Sequence, residues 1–264
     1  MTQPAIAEGL LTWSPEHGLV PGEPRAGRLL VADSWLLRDG RVRGLDRHRE
    51  RFLRSCGECG APPPAQVVDF WQDMTRALPR TGEWFPRVEL AAGSMELRLL
   101  LRHAPPLTTE IRVWGAGQPD PRTVPRRKGP DLDALARVRR RAAGADADEA
   151  VLIAPSGLVL ETASSSLLWW EEDTLCLPPP RLPLLAGVTV GLIQERAART
   201  GVRVAHRERS LAELDGREVW LVNALHGIRP VVAWTGRPLT PGPAVHAPEW
   251  RTWLDGLLEP LPDH

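Results

Sequence analysis

The sequence predicts a mixed α/β protein built in two parts. Three observations carry that reading. Short apolar runs of strand length alternate with amphipathic stretches of helical period along the chain. Residues 115–130 are rich in Gly and Pro, with Pro119, Pro121, Pro125 and Pro130 close together. A new helix-then-hairpin pattern starts directly after them. At 264 residues the chain has enough length for one large domain or two modest ones.

In the first part, Leu29–Ala32 and Ser34–Leu37 read as short strands, and residues 1–27 read as a surface wrap. Asp39-Gly40 is a strong two-residue hairpin signal leading into Arg41-Val42-Arg43. Leu45–Ser55 has helical spacing at Leu45, His48, Phe52 and Leu53. Residues 63–79 form a second helix, whose stripe is Val67, Val68, Phe70, Trp71, Met74 and Leu78. Strands are expected at Ser94–Arg102, where Met95, Leu97 and Leu99 alternate with Glu96, Arg98 and Leu100, and at Thr109–Trp114.

The second part opens with a helix over Asp131–Ala143, with Asp131 placed as an N-cap and Gly144 as a stop. Glu149–Ala154, the turn Pro155-Ser156-Gly157 and Leu158–Glu161 make a β-hairpin. Leu167–Trp170 and Thr174–Leu177 add two strands. Gly187–Thr200 is a helix closed by Gly201. Val202–His206, Glu218–Asn223 and Ile228–Trp234 complete the strands, the last two joined by a turn at His226-Gly227. The expected division is residues 1–116, a linker at 117–127, and residues 128–264.

Lysine is nearly absent. Of 33 Lys and Arg residues, one, Lys128, is lysine. Lysine can lose its proton and form a Schiff base with a carbonyl, which arginine cannot. The 33 basic residues equal the 33 acidic ones in number, which argues against a nucleic-acid protein. Arg139-Arg140-Arg141 reads as a solvated helix face. Residues 1–20 carry Glu8 and Glu16 and no long apolar core, and no apolar run reaches membrane-spanning length. A cytoplasmic protein without a membrane or nucleic-acid partner is expected. Cys56, Cys59 and Cys176 suit a reducing compartment, and the lone Cys56-x-x-Cys59 pair lacks the further ligands of a structural zinc site, so no metal is expected. There is no tyrosine.

Several ordered blocks carry a family resemblance. They are Asp39-Gly40-Arg41, His48-Arg-Glu-Arg51-Phe52, Lys128 beyond the Pro-rich stretch, and Gly144 through Ile153. The series continues with Ser156-Gly157-Leu-Val-Leu-Glu161-Thr-Ala-Ser-Ser-Ser166, Leu185-Ala-Gly187-Val188-Thr189, and Trp220-Leu-Val-Asn223-Ala224-Leu225-His-Gly227-Ile-Arg-Pro230. Together, over most of residues 30–235, the chain resembles the class IV pyridoxal-phosphate (PLP) enzymes. These include branched-chain and D-amino-acid aminotransferases and aminodeoxychorismate lyase. The resemblance implies fold type IV, a small N-terminal α/β domain with a larger mixed-sheet pseudo-barrel, and a homodimer.

It also implies roles for residues. Lys128 would hold the cofactor covalently and shuttle a proton at the substrate Cα. Glu161 would face the pyridine nitrogen, a role whose ordinary alternative is an exposed strand-end carboxylate. Gly187, Val188 and Thr189 would present a helix N-terminus to the phosphate. Arg51 would reach that phosphate with its forked guanidinium. Asn223 and Ala224 would turn toward phosphate and substrate carboxylate, with Ser166 beside them. Arg102, His103 and Leu225 are candidate substrate contacts, and Trp35, Trp114 and Trp169 candidate pocket walls, although surface charge and apolar core are the default for such residues.

The chain departs from the family pattern at Ser166 (commonly Asn), Val190 (often Arg or Lys), Ala224 (Ser or Thr) and Asp133 (a tyrosine in branched-chain enzymes). Three activities stay open: transfer of an amino group between an amino acid and a 2-keto acid, the aminodeoxychorismate lyase reaction, and a non-catalytic role.

Overall fold

The structure is a computed structural model that describes residues 8–23, 27–60 and 62–262. The chain divides into two compact units. One holds the described residues up to Leu107, together with Arg127–Pro130 and the segment from Leu257. The other holds Thr108–Arg126 and Asp131–Gly256. Lys128 therefore travels with the first unit. No helix among the described residues is long and apolar enough to cross a membrane.

The first unit contains β1 (Gly9–Ser14), β2 (Gly18–Pro21), β3 (Leu29–Ser34), β4 (Leu37–Arg38), β5 (Arg41–Val42), α1 (Leu45–Glu58), α2 (Pro64–Ala77), β6 (Glu83–Trp84), β7 (Arg87–Ala91) and β8 (Leu97–Leu101). An antiparallel sheet runs in the order β2-β1-β8-β7-β3. Of the expected surface wrap at residues 1–27, residues 1–7 and 24–26 lie outside the described residues, and the rest is corrected: Gly9–Pro21 is a paired hairpin, and Leu11 and Trp13 are buried. The second expected strand is also corrected. β3 runs through Ser34, and only Leu37-Arg38 pairs beyond it.

The Asp39-Gly40 turn forms as read, with φ of 46° and 68°, the two positive values a tight two-residue hairpin demands. β6 and β7 were not legible. β6 is only two residues long, and β7 alternates Val88 and Leu90 with Arg87 and Glu89, a short pattern in which Glu89 is nonetheless buried, paired to Arg87 and opposite buried Arg98 of β8. On β8 the strand starts only at Leu97, because Met95 sits at φ 53° in the preceding turn.

Helices α1 and α2 carry an aromatic core. Phe52 packs on Phe70 and Trp71 at centroid distances of 6.0 and 5.9 Å, and Trp35 packs on Trp71 at 5.4 Å. Val67, Phe70, Trp71, Met74 and Leu78 are all buried, as the helical stripe requires. The segment bearing Lys128 docks on β3. The Ala32 N–H donates to the Lys128 carbonyl at 2.8 Å. Gly129 has φ +133°, and a Cβ there would stand 2.8 Å from the backbone of Val31 and Ala32.

The second unit contains β9 (Ile111–Pro119), α3 (Leu132–Gly144), β10 (Glu149–Ile153), β11 (Val159–Thr162), β12 (Ser166–Glu171), β13 (Thr174–Leu177), α4 (Val188–Thr200), β14 (Arg203–His206), a 3-10 turn at Leu211–Leu214, β15 (Val219–Asn223), β16 (Gly227–Thr235) and α5 (Ala247–Asp255). The last strand, β17 (Glu259–Pro260), belongs to the first unit and extends the small sheet β17-β5-β4-β6. β9 continues through the Gly-rich Gly115–Pro119 stretch.

The order β11-β10-β9-β16-β15-β12 closes on itself, because Glu161 of β11 pairs with Ser166 of β12. The result is a six-strand ring, with β13 and β14 continuing from β12. Strand periodicity sends alternate residues to two cores. Val151, Val159, Leu167, Trp169, Leu221 and Val231 share one, while Ala150, Leu152 and Leu160 face Val138 and Ala142 of α3 in the other.

Two expected helix ends differ in detail. Asp131 occupies the N-cap position but makes no side-chain cap. Its carboxylate instead accepts from the Thr123 and Val124 N–H groups at 3.0 and 2.9 Å. Gly144 is the last helical residue of α3, and Ala145 follows as C-cap. Gly201 does close α4, in the left-handed conformation. The N-terminus of α5 is fixed from outside. Buried Glu218 accepts from the N–H groups of Val245, His246 and Ala247 and from Trp220 Nε1, all at 2.8–3.1 Å.

Replacing Glu218 by Ala leaves four donors, two of them buried, without their acceptor and is expected to cost about 3 kcal/mol. A shifted denaturant midpoint, with a smaller shift for Glu218→Gln, is the measurement. Gly129→Ala puts a methyl against β3 at a φ that L-residues rarely adopt, and is expected to cost about 2 kcal/mol. Amide hydrogen exchange should show the loss concentrated at Val31–Ser34; unchanged protection there would refute it.

Candidate active site

One group of polar residues is gathered in the first unit around β3. Lys128 Nζ donates to Ser34 Oγ at 2.9 Å. The neighbouring Asp33 is fully buried. Its carboxylate accepts from Arg51 Nε at 2.8 Å, Arg51 Nη2 at 2.7 Å and the Ser34 N–H at 2.7 Å. His48 Nδ1 lies 2.9 Å from the same carboxylate, which can only accept, so Nδ1 carries the proton. Burial alone would raise the Asp33 pKa, but Arg51 and His48 outweigh it and hold the carboxyl well below its usual range. Burial lowers His48, with Asp33 opposing, so its ring favours the neutral form.

Lys128 is half-buried, and protein is dense around its amine. Desolvation pulls its pKa down to about 8. Asp33 resists the shift, while Arg51, Arg102 and Arg87 reinforce it. A lysine so placed has a reactive neutral fraction near pH 8 that an exposed lysine lacks.

The other group lies in the second unit, where the ring closes. Glu161 is buried and pairs with Ser166 across the closing contact, and Ser166 pairs in turn with Val222 of β15. Arg122 Nη1 and the Leu185 N–H both donate to Glu161 Oε1. Oε2 receives no donor among the described residues. Burial raises the Glu161 pKa to about 7 despite the pull of Arg122 and the Leu185 N–H. Arg122 also grips Asp120 at 2.8 Å through both Nε and Nη2.

Gly187 stands immediately before α4, and a Cβ there would approach Ser166 Oγ to 3.1 Å and Val190 Cγ2 to 3.3 Å. The helix has no side-chain cap, and Val188 and Thr189 are buried at its first turn. Asn223 Nδ2 donates to Ser165 Oγ at 2.9 Å, and its Oδ1 accepts from the Leu225 and His226 N–H groups at 3.1 and 2.8 Å. Ala224 lies inside that turn, with buried Leu225 next to it. Thus Glu161, Ser166, Gly187 and Asn223 come together through strand pairing and close contact.

Other candidates are engaged elsewhere. Arg102 Nε donates to the Phe85 carbonyl at 2.9 Å, and its guanidinium lies 4.5 Å from the Phe85 ring centroid. His103 is stacked on Trp84 at 4.0 Å. Trp169 is core in the second unit, with its N–H on Glu171, and Trp35 is core in the first, against His48. Trp114 packs at the edge of the α3 core. Asp133 is exposed on α3. Cys56 is buried, and its thiol is pushed up to about 12 by burial and by Cys59.

Several residues escaped sequence reasoning. Asp33, Ser34 and Arg122 sit in stretches read as strand or linker. Buried Glu149 takes the Ser164 hydroxyl on one oxygen and leaves Oε2 without a partner among the described residues. Buried Arg229 contacts Thr108 Oγ1 at 3.1 Å and Ser165 Oγ at 3.5 Å, and its Nε has no partner among the described residues. The run Ser164-Ser165-Ser166, beginning three residues after Glu161, was the available signal, since the hydroxyl of buried Ser165 needs partners and meets Asn223 and Arg229.

Comparison with known proteins follows from this geometry. The family profile described as amino-transferase class IV matches residues 30–234. No curated protein matches. Among solved structures, the branched-chain amino acid aminotransferase from Escherichia coli superposes with a TM-score of 0.79 at 15% identity, covering 98% of this chain and 100% of its own. A hypothetical aminotransferase from Mycobacterium tuberculosis, in its form bound to α-ketoglutarate and PMP, gives 0.76 at 20% identity over 94% and 98%. A putative 4-amino-4-deoxychorismate lyase from Legionella pneumophila gives 0.72 at 16% over 88% and 91%. At these identities the structures establish the fold, which is the two-part, mixed-sheet fold type IV expected from the sequence. The profile, spanning most of the sequence, decides the family: the chain belongs to the class IV aminotransferases, a family of PLP-dependent enzymes.

Proposed function

We propose that the protein is an aminotransferase that moves an amino group between an amino acid and a 2-keto acid, with Lys128 as the residue that holds PLP. The observation that carries this reading is the state of Lys128. The chain's sole lysine is tethered at its backbone and its amine, and its proton is loosened to about pH 8.

The donor set of each unit fits the cofactor. Glu161 keeps Oε2 for a ring N–H while Arg122 and Leu185 occupy Oε1. The uncapped first turn of α4 offers backbone N–H groups and a buried Thr189 to an anion, and Gly187 keeps the approach clear of a Cβ. Arg51 spends one edge of its guanidinium on Asp33. In the proposed assignment it adds positive charge toward the phosphate while Asp33 fixes its orientation.

Bound PLP supplies an electron sink that acidifies the Cα–H of an amino substrate. The chain's own residues then divide the work. Lys128 Nζ would act as the base that takes the proton from the substrate Cα and holds it for return. Glu161 would face the ring N–H; burial raises its carboxyl to about 7 and Arg122 pulls the other way, so a ring N–H at Oε2 would add to Arg122 in favouring the carboxylate. Asn223 braces its turn through two backbone N–H groups, which leaves the backbone and not the Ala224 side chain to meet the substrate carboxylate.

Incubation with PLP, borohydride reduction and peptide mapping should place a pyridoxyl adduct on Lys128 and nowhere else. Lys128→Ala should abolish both adduct and turnover. An amino acid alone should then convert the cofactor to its amino form. Pyruvate release from aminodeoxychorismate with no such conversion would make the lyase reading correct, and absence of any adduct would make the protein a non-catalytic member of the fold.

The rate of adduct formation should follow the neutral amine. Below pH 8 it should fall about tenfold per unit as Lys128 protonates, and above pH 8 it should level off. A rate still rising steeply at pH 10 would mean that Lys128 keeps an ordinary lysine pKa.

A further inference from the structure

We propose that Ser34 is a positioning residue for Lys128, whose hydroxyl keeps the amine in one place through both gain and loss of its proton. The proposal rests on the reading of Lys128 as the cofactor lysine. It concerns how this chain presents that amine and not whether the amine is used.

Strand β3 grips Lys128 at both ends. The Ala32 N–H holds its carbonyl at 2.8 Å, and Ser34 Oγ holds its Nζ at 2.9 Å. Gly129 lies so close to Val31 and Ala32 that a Cβ there would stand 2.8 Å from their backbone. A four-carbon side chain that would otherwise sample many rotamers is therefore fixed at its root and at its tip. Ser34 is buried, and its own N–H donates to Asp33 Oδ1 at 2.7 Å, which sets the backbone from which the hydroxyl projects.

The charges around the amine explain why a hydroxyl stands there. Asp33 of β3 attracts the ammonium. Arg51 of α1, Arg87 of β7 and Arg102 after β8 repel it, and His48 of α1, held neutral by burial, adds no fixed charge. Asp33 is already saturated by Arg51, His48 and the Ser34 N–H. A carboxylate at position 34 would hold the amine in its charged form. A hydroxyl accepts from an ammonium and donates to a neutral amine, so it serves both states without choosing one.

The composition makes the test direct. In protein labelled with 15Nζ-lysine, Lys128 gives the single side-chain signal, because the chain has no other lysine. The full chain, free of cofactor, is titrated by NMR as wild type, Ser34→Ala, Ser34→Cys and Ser34→Thr.

Loss of the acceptor in Ser34→Ala should lower the midpoint by about one pH unit and broaden the signal, since the ammonium loses its hydrogen bond. Ser34→Cys, a weak acceptor of similar size, should shift the same way, and Ser34→Thr should restore the wild-type curve. If Ser34→Ala does not fold by circular dichroism, the cysteine variant decides alone. Midpoints and line widths equal to wild type in the folded variants overturn the proposal.

Adduct mapping separates the two ideas. A shifted titration without a Lys128 adduct keeps the positioning role and rejects the aminotransferase reading. An adduct with an unshifted titration does the reverse.

Discussion

A buried carboxylate must find donors or give up its charge, and this protein uses that constraint repeatedly to join parts of the chain distant in sequence. Asp33 binds α1 to β3 through Arg51 and His48. Glu161 joins β11 to Arg122 and to the loop at Leu185. Glu171 takes Arg207, Arg209 and the Trp169 indole, which holds its pKa down to about 2 although burial alone would raise it. Glu218 closes the start of α5. Removing one partner of such a group costs about 3–5 kcal/mol, because the other is left charged and dry. The four acids therefore specify tertiary placement more than they add net stability.

Arginine and lysine divide these duties by chemistry. Most of the pairings need a cation that stays protonated when desolvated and bonds through a flat fork, which is arginine. Position 128, which combines desolvation with several cationic neighbours and an acceptor hydroxyl, carries lysine instead. In Arg51 the surroundings reinforce the charge, and in Lys128 they weaken it. The same local field yields a permanent anchor from one residue and an acid–base group from the other, because their intrinsic pKa values differ.

In the second unit, the residues named from sequence blocks come together because a sheet closes. Glu161 and Ser166 lie five residues apart and form the closing pair. Ser166 also pairs with Val222, one residue before Asn223. Ring closure at the Glu161–Ser166 pair turns several weak sequence signals into one cluster with Gly187. Glu149 and Arg229 are buried in this unit with side-chain atoms that lack a partner among the described residues, a feature that no spacing rule marks in advance.

The sequence by itself determined the mixed α/β class, the Asp39-Gly40 hairpin, the stripes of α1 and α2, most strands of the second unit, and Lys128 as the residue of interest. These signals are local: period, turn chemistry and the rarity of one residue type are all carried within a few positions. Strand β7 escaped because it carries the paired Arg87 and Glu89, which read as surface charge although Glu89 is buried in the fold. Whether Arg51 would meet Asp33, whether Glu161 would share its carboxylate with Arg122, and whether Ser34 would hold the Lys128 amine depended on tertiary structure alone. Each of those contacts spans 18 to 94 residues of sequence, and only desolvation in the folded chain gives the partners a reason to find each other.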